Sequence, residues 1–205
     1  MSDHHPSDTT LALYAAGTLP EGLAMVVATH LTFCPDCRRI GRTFEATGGA
    51  ILSDLAPVAM AEDALTRVLA RTAEPAPAPA SPALRNVGLP APLDRCDFGR
   101  WWPVAPGLRW RPMRVSGRAW AGLLAVAPGR SMPRHGHDGL ELACVLRGSF
   151  VDAHGRYAAG DLSEPEHDHD VPPRVDSNET CVCVIATEGV RMRGMLGSLQ
   201  RMFGR

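Results

Sequence analysis

Apolar positions follow two different periods along this chain. In the first seventy or so residues they recur at helical spacing, and beyond residue 100 they gather into short runs broken by Gly and Pro. Ser7 or Asp8 can cap a helix through Ala16 that Gly17 stops. A second helix starts at Pro20, a favoured first-turn residue, with Glu21 beside it complementing the helix dipole. Its Leu23, Val26, Val27 and Leu31 share one face, and Pro35 biases Cys34 out of the helical region, so the helix ends near Phe33. A third helix runs from Pro35 toward Leu52, and a fourth spans about Ala61 to Thr72.

The later runs, WAGLLAVAP, LELACVLRGSFVD and TCVCVIAT, are rich in β-formers. Short strands with frequent turns predict a small barrel or a double-sheet jelly roll. Between the two regions lies AEPAPAPASPALRNVGLPAP, which holds six of the 18 prolines and favours an extended spacer. The expected division is a helical domain over 1–72, a Pro/Ala-rich linker over 73–92 and a β domain over 93–205. A helical unit that small buries little surface alone, so it calls for a metal or a partner.

Composition narrows the classes. Across 205 residues, 45% are hydrophobic, enough for a packed core, which excludes wholesale disorder. No apolar run reaches the roughly 18–20 residues of a membrane span, and the polar Met1–Pro6 start carries no secretion segment, so a cytoplasmic protein is expected. All 21 basic residues are Arg, which excludes a Schiff-base or P-loop lysine. Residues 1–74 hold five Arg against nine Asp and Glu, an acidic balance suited to a basic protein surface and not to nucleic acid.

Six Cys and eight His cluster at short intervals, and in a cytosolic chain that grouping points to metal ligands or redox thiols. His30-Leu-Thr-Phe-Cys34-Pro-Asp-Cys37 reads HxxxCxxC. His30 and Cys34, four apart, share one face of a helical turn, and a helix restarting at Pro35 returns Cys37 to the same point. Two thiolates and an imidazole suit tetrahedral zinc, and the His4-His5 pair can supply a fourth ligand. A CxxC redox pair beside a core histidine is the alternative reading. The surrounding stretch YAAGTLPEGLAMVVATHLTFCPDCRR, Tyr14 to Arg39, resembles the zinc-binding anti-sigma domain, above all its ChrR-type members. The resemblance implies one zinc held by His5, His30, Cys34 and Cys37, and it covers about the first 50 residues.

A second constellation, Gly129-RSMPR-His135-Gly-His137-DGL-Glu141-LACVLR-Gly148, resembles the first cupin motif. Two His at i and i+2 share a strand face, and Glu141 follows a turn, giving two imidazoles and a carboxylate for zinc or another divalent metal. A cupin keeping this turn chemistry without a metal is the bland alternative. In ChrR-type cupins the fourth ligand stands about ten residues before a CxC pair, a position held here by Val171; His169, two residues earlier, shares that strand face. His167 is the other histidine of that stretch. Cys181 and Cys183 face one side of a strand, either as small buried residues or, as the resemblance implies, as an oxidant-responsive pair. Cys96 and Cys144 are expected to be structural, and the four Trp to pack the barrel and its entry strand.

Taken whole, the resemblance implies a small all-α zinc domain followed by an all-β cupin jelly roll. It implies an anti-sigma factor that inhibits an extracytoplasmic-function (group IV) sigma factor and releases it on oxidative signals such as singlet oxygen. No catalytic residue, direct nucleic-acid contact or membrane contact is expected. The alternative is a cupin metalloenzyme, a dioxygenase or isomerase, yet no general base stands out, since His154 sits by Gly155 in a hairpin turn. A zinc-dependent DNA-binding regulator is a third reading, and the acidic first module, lacking a basic helix, speaks against it.

Overall fold

The computed structural model describes residues 2–73, 88–132, 135–165 and 172–192, with backbone alone at 137, 191 and 192. Four helices open the chain: α1 (Asp8–Ala15), α2 (Glu21–Phe33), α3 (Pro35–Ser53) and α4 (Ala64–Ala73). Ser7 caps α1, its Oγ accepting from the Thr10 N–H at 3.2 Å. Cys34 is extended at φ −102°, ψ 106°, and ends α2 as the following proline dictates. The fourth helix begins three residues later than its apolar pattern predicts, after an Ala61-to-Ala64 turn. Residues 74–87 of the Pro/Ala-rich stretch lie outside the described residues.

After the short α5 (Ala91–Asp94) the described residues form eleven strands: β1 (Trp102–Ala105), β2 (Leu108–Met113), β3 (Trp120–Val126), β4 (His135–His137), β5 (Glu141–Arg147), β6 (Ser149–Asp152), β7 (Gly155–Ala158), β8 (Leu162–Ser163), β9 (Arg174–Val175), β10 (Cys181–Thr187) and β11 (Val190–Met192). All described pairings are antiparallel, in a six-stranded sheet β1-β2-β3-β10-β5-β8, a three-stranded sheet β7-β6-β9 and a β11-β4 pair. Two sheets closing on one interior give the barrel that the short strands and turns predict.

The large sheet is apolar on both faces, which explains why its strands read as near-continuous hydrophobic runs. On one face, Leu124, Val126, Val145, Cys181 and Cys183 join Tyr157 and Val175 of the small sheet to fill the barrel interior. On the other, Leu123, Leu142, Cys144, Val184 and Ala186 form a single core with Leu23, Val26 and Val27 of α2. The helical region therefore does not build its core alone; the outer face of the barrel completes it. Leu93 of α5 is fully buried in the same cluster, and Leu89 packs against it. Trp110 packs against the interior cluster, but Trp101, Trp102 and Trp120 are exposed, so the expected packing role falls to Trp110. Trp102 lies on β1, at one end of the sheet, and the Arg109 guanidinium stands 5.4 Å from the Trp101 ring centre.

Helix α2 reaches the sheet at Gly22, where an added Cβ would stand 2.9 Å from the Ala121 Cβ and 3.4 Å from the Ala186 Cβ. Both neighbours are fixed to strand backbone and cannot swing aside. Gly22→Val is expected to destabilise the protein by about 1–3 kcal/mol through overpacking. Gly48→Ala, in an open position of α3, is expected to stabilise it by about 0.5–1 kcal/mol. Urea unfolding midpoints read both, and equal effects would contradict the close-approach account.

Candidate metal centre

Cys34 performs two backbone tasks at once. Its N–H closes α2 on the His30 carbonyl at 3.0 Å, and its Sγ caps α3 by accepting from the Cys37 N–H at 3.3 Å. Pro35 supplies the first turn of α3 and needs no hydrogen-bond partner for a missing N–H. The two helices thus break at one residue, and the break turns His30, Cys34 and Cys37 toward a common point. Arg38 steadies the corner by donating from its guanidinium to the Leu31 carbonyl at the end of α2.

The fourth residue arrives from the N-terminal segment. His5 Nδ1 lies 3.5 Å from Cys34 Sγ and 3.4 Å from Cys37 Sγ, and His30 Nε2 lies 3.3 Å from Cys37 Sγ. One ligand atom from each of the four residues falls within 4.8 Å of every other. His4 is directed elsewhere, stacked on Tyr157 with ring centres 4.0 Å apart. Tetrahedral bonds of about 2.3 Å to sulfur and about 2.0–2.1 Å to nitrogen place S and N about 3.5 Å apart. The observed separations match that spacing.

The donor chemistry agrees with the spacing. His30 Nδ1 lies 2.7 Å from the Gly160 carbonyl, which only accepts, so Nδ1 carries the proton and Nε2 presents its lone pair to the cluster. Burial holds the His30 pKa below its ordinary value, keeping the ring neutral as a ligand must be. Burial and the adjacent Cys34 thiol push Cys37 up to about 12. A divalent cation supplies the positive charge that the thiolate form requires. These four residues can hold a metal ion.

In the barrel, His135 on β4 and Glu141 at the start of β5 are both buried, with Nε2 and Oε1 3.8 Å apart. They line an interior cavity of ≈ 60 Å³ together with Met132, Phe150, Cys181 and Cys183. The His137 side chain, His167, His169 and Val171 lie outside the described residues. Cys181 and Cys183 face the same cavity with their sulfurs 3.8 Å apart, as alternation along β10 predicts. The hydrogen bond between them and burial push the Cys183 thiol well up, so Cys183 rests in the neutral form. Cys144 faces the opposite side of the sheet, where burial raises its thiol to about 12. Cys96 is partly buried against that core, its thiol donating to the Pro92 carbonyl at 3.3 Å. His154 sits in the β6–β7 turn between Asp152 and Gly155, as the sequence predicts. The Gly160 contact was not legible in the sequence, because nothing local ties residue 30 to a turn 130 positions away.

A His/Cys cluster at a helical corner, seated on a cupin-like barrel, defines the class of protein. A family model described as the ChrR cupin-like domain matches residues 95–191. The anti-sigma-E factor ChrR of Cereibacter sphaeroides is 36% identical over 208 residues, with 98% of each chain covered. A chain in the crystal structure of Rhodobacter sphaeroides SigE in complex with the anti-sigma ChrR is also 36% identical, with a TM-score of 0.78, covering 91% of this chain and 100% of that one. The chain belongs to the ChrR family of anti-sigma factors.

Loaded with Co²⁺, the full chain is expected to show sulfur-to-metal charge-transfer absorption that Cys34→Ser and Cys37→Ser each weaken and the double variant abolishes. Cys96→Ser should leave the band unchanged. An undiminished band in the double variant would place the metal elsewhere.

Proposed function

We propose that this protein is a cytoplasmic anti-sigma factor, regulatory and not catalytic, that binds an extracytoplasmic-function sigma factor and withholds it from transcription. In this reading residues 1–72 grip the sigma factor, 73–92 act as a spacer, and the barrel over 93–205 receives the signal. The observation that carries it is an apolar surface left open on the helical side. Leu55, Val58, Met60, Leu65, Val68 and Leu69 are between 57% and 86% exposed. Leu65, Val68 and Leu69 sit at i, i+3 and i+4 on α4, a helix with no buried residue. Such a stripe on a helix is the kind of face that another protein's groove covers. The relative whose crystal structure is a complex with SigE supports a sigma factor as that partner. No helix among the described residues is long and apolar enough to cross a membrane, so α4 is not such a span.

His5, His30, Cys34 and Cys37 hold Zn²⁺ in this proposal, and the ion fixes the corner between α2 and α3 from which the docking surface extends. A second divalent ion, zinc or another metal, sits in the barrel on His135, His137 and Glu141 with His169 as fourth ligand. The signal is an oxidant, with singlet oxygen as the candidate and Cys181–Cys183 as the responsive pair. The nearness of His135, Glu141 and both thiols to one small cavity supports this assignment.

The test is co-purification of the full chain with a group IV sigma factor. Leu65→Glu and Leu69→Glu together are expected to weaken the complex at least about 100-fold, or about 2.7 kcal/mol, by placing charge in an apolar contact. Metal content should be unchanged. A sigma complex of undiminished affinity would contradict docking through α4.

A further inference from the structure

We propose that the barrel segment over residues 160–164, a turn leading through β8, is the outer coordination shell of the helical metal centre and sets how long the ion is retained. The proposal rests on the metal reading of His5, His30, Cys34 and Cys37. Both thiols come from the corner between α2 and α3, but both imidazoles are held in place by the barrel.

The grip on His30 is direct. Its Nδ1 donates to the Gly160 carbonyl at 2.7 Å in a buried position. That carbonyl is itself fixed, because the Gly160 N–H donates to Val145 of β5 at 2.8 Å. Gly160 has φ +96°, and a Cβ there would stand 2.9 Å from the Phe33 Cβ and 3.0 Å from Ser2 Oγ. Glycine therefore lets the turn touch the end of α2 and the N-terminal segment together.

The grip on His5 is a clasp on either side of it. Asp161 Oδ1 accepts from the N–H groups of Asp3 at 2.7 Å and His4 at 3.3 Å, while its Oδ2 accepts from Ala158 at 2.8 Å. The Leu162 N–H donates to the His4 carbonyl at 3.1 Å. Glu164 accepts from the Ser7 N–H at 2.7 Å and from the Thr10 hydroxyl at 2.6 Å. The His4 ring lies on Tyr157, and Tyr157 stacks on Phe150 at 4.7 Å. Phe150 lines the barrel cavity, so a row of rings runs from that cavity to the residue beside His5.

Groups that orient metal-bound imidazoles govern affinity without touching the ion, and removing one typically costs about 10–100-fold. The experiment loads the full chain with Zn²⁺ and follows transfer to a chromogenic chelator. Asp161→Ala and Glu164→Ala are each expected to speed release about 10–100-fold, and the Co²⁺ forms should show shifted ligand-field bands. Glu164→Gln, whose amide oxygen can accept from the Ser7 N–H while its NH2 donates to the Thr10 hydroxyl oxygen, should restore slow release. Glu179→Ala, at an exposed barrel carboxylate paired with Arg147, should leave it unchanged. Should Asp161→Ala fail to fold, the Glu164 pair decides. Release within about twofold of the parent chain in folded Glu164→Ala would overturn the proposal. A parent chain that takes up neither Zn²⁺ nor Co²⁺ on its thiols would instead refute the metal reading, and the proposal with it.

Discussion

Helix α2 is wedged between the other helices and the outer face of the barrel, and that burial constrains everything around it. Among its residues only Glu21, Thr32 and Phe33 are exposed. Leu23, Val26 and Val27 are fully buried, each worth about 1.5–3 kcal/mol on removal from water. An apolar helix of this kind has no solvent face and needs cover all round. The sheet gives it on one side and α1 and α3 on the other, so His30, near its C-terminal end, has its ring position dictated by the barrel as much as by its own helix.

The sheet beneath α2 serves two interiors through alternate residues. Along β10, Cys181 and Cys183 face the cavity, while Val184 and Ala186 lie in the core shared with α2. Cys183 and Val184 are joined by one peptide unit, and close-packed interiors transmit displacement with little slack. A bulkier oxidised group at Cys183 therefore has to be accommodated by the strand that carries the α2 contacts. That would give the proposed sensing role a mechanical route: cavity chemistry would be felt at α2, which carries the candidate ligand His30 and is followed by the corner that Cys34 and Cys37 share. Glu21 adds an exposed link on the same helix, accepting from the N–H and hydroxyl of Ser116, which hold its carboxyl below the usual range.

Much of the local design was legible because its causes are local. Pro35 ends α2 and starts α3 whatever the tertiary context, Ser7 caps α1, and HxxxCxxC at a helical corner converges by geometry alone. Alternation likewise put Cys181 and Cys183 on one face. Contacts with distant partners were not legible. Nothing near His30 announces Gly160, and nothing near His4 announces Tyr157 or Leu162, since those pairings depend on how the barrel closes. The apolar runs after residue 120 pointed to the short strands of a barrel or jelly roll, but not to a sheet face shared with the helical core. The tryptophans misled because bulk does not imply burial: three of the four are exposed.

The central claim is that the four-residue cluster and the barrel turn form one cooperative unit. Amide hydrogen exchange of the full chain, with zinc bound and after chelation, tests it most directly. The account predicts that removing the ion speeds exchange at Leu162 and Asp3, whose N–H groups bind the N-terminal segment to the barrel, along with Cys37 and Arg38. Faster exchange confined to the helical corner, with Leu162 and Asp3 as protected as before, would contradict it.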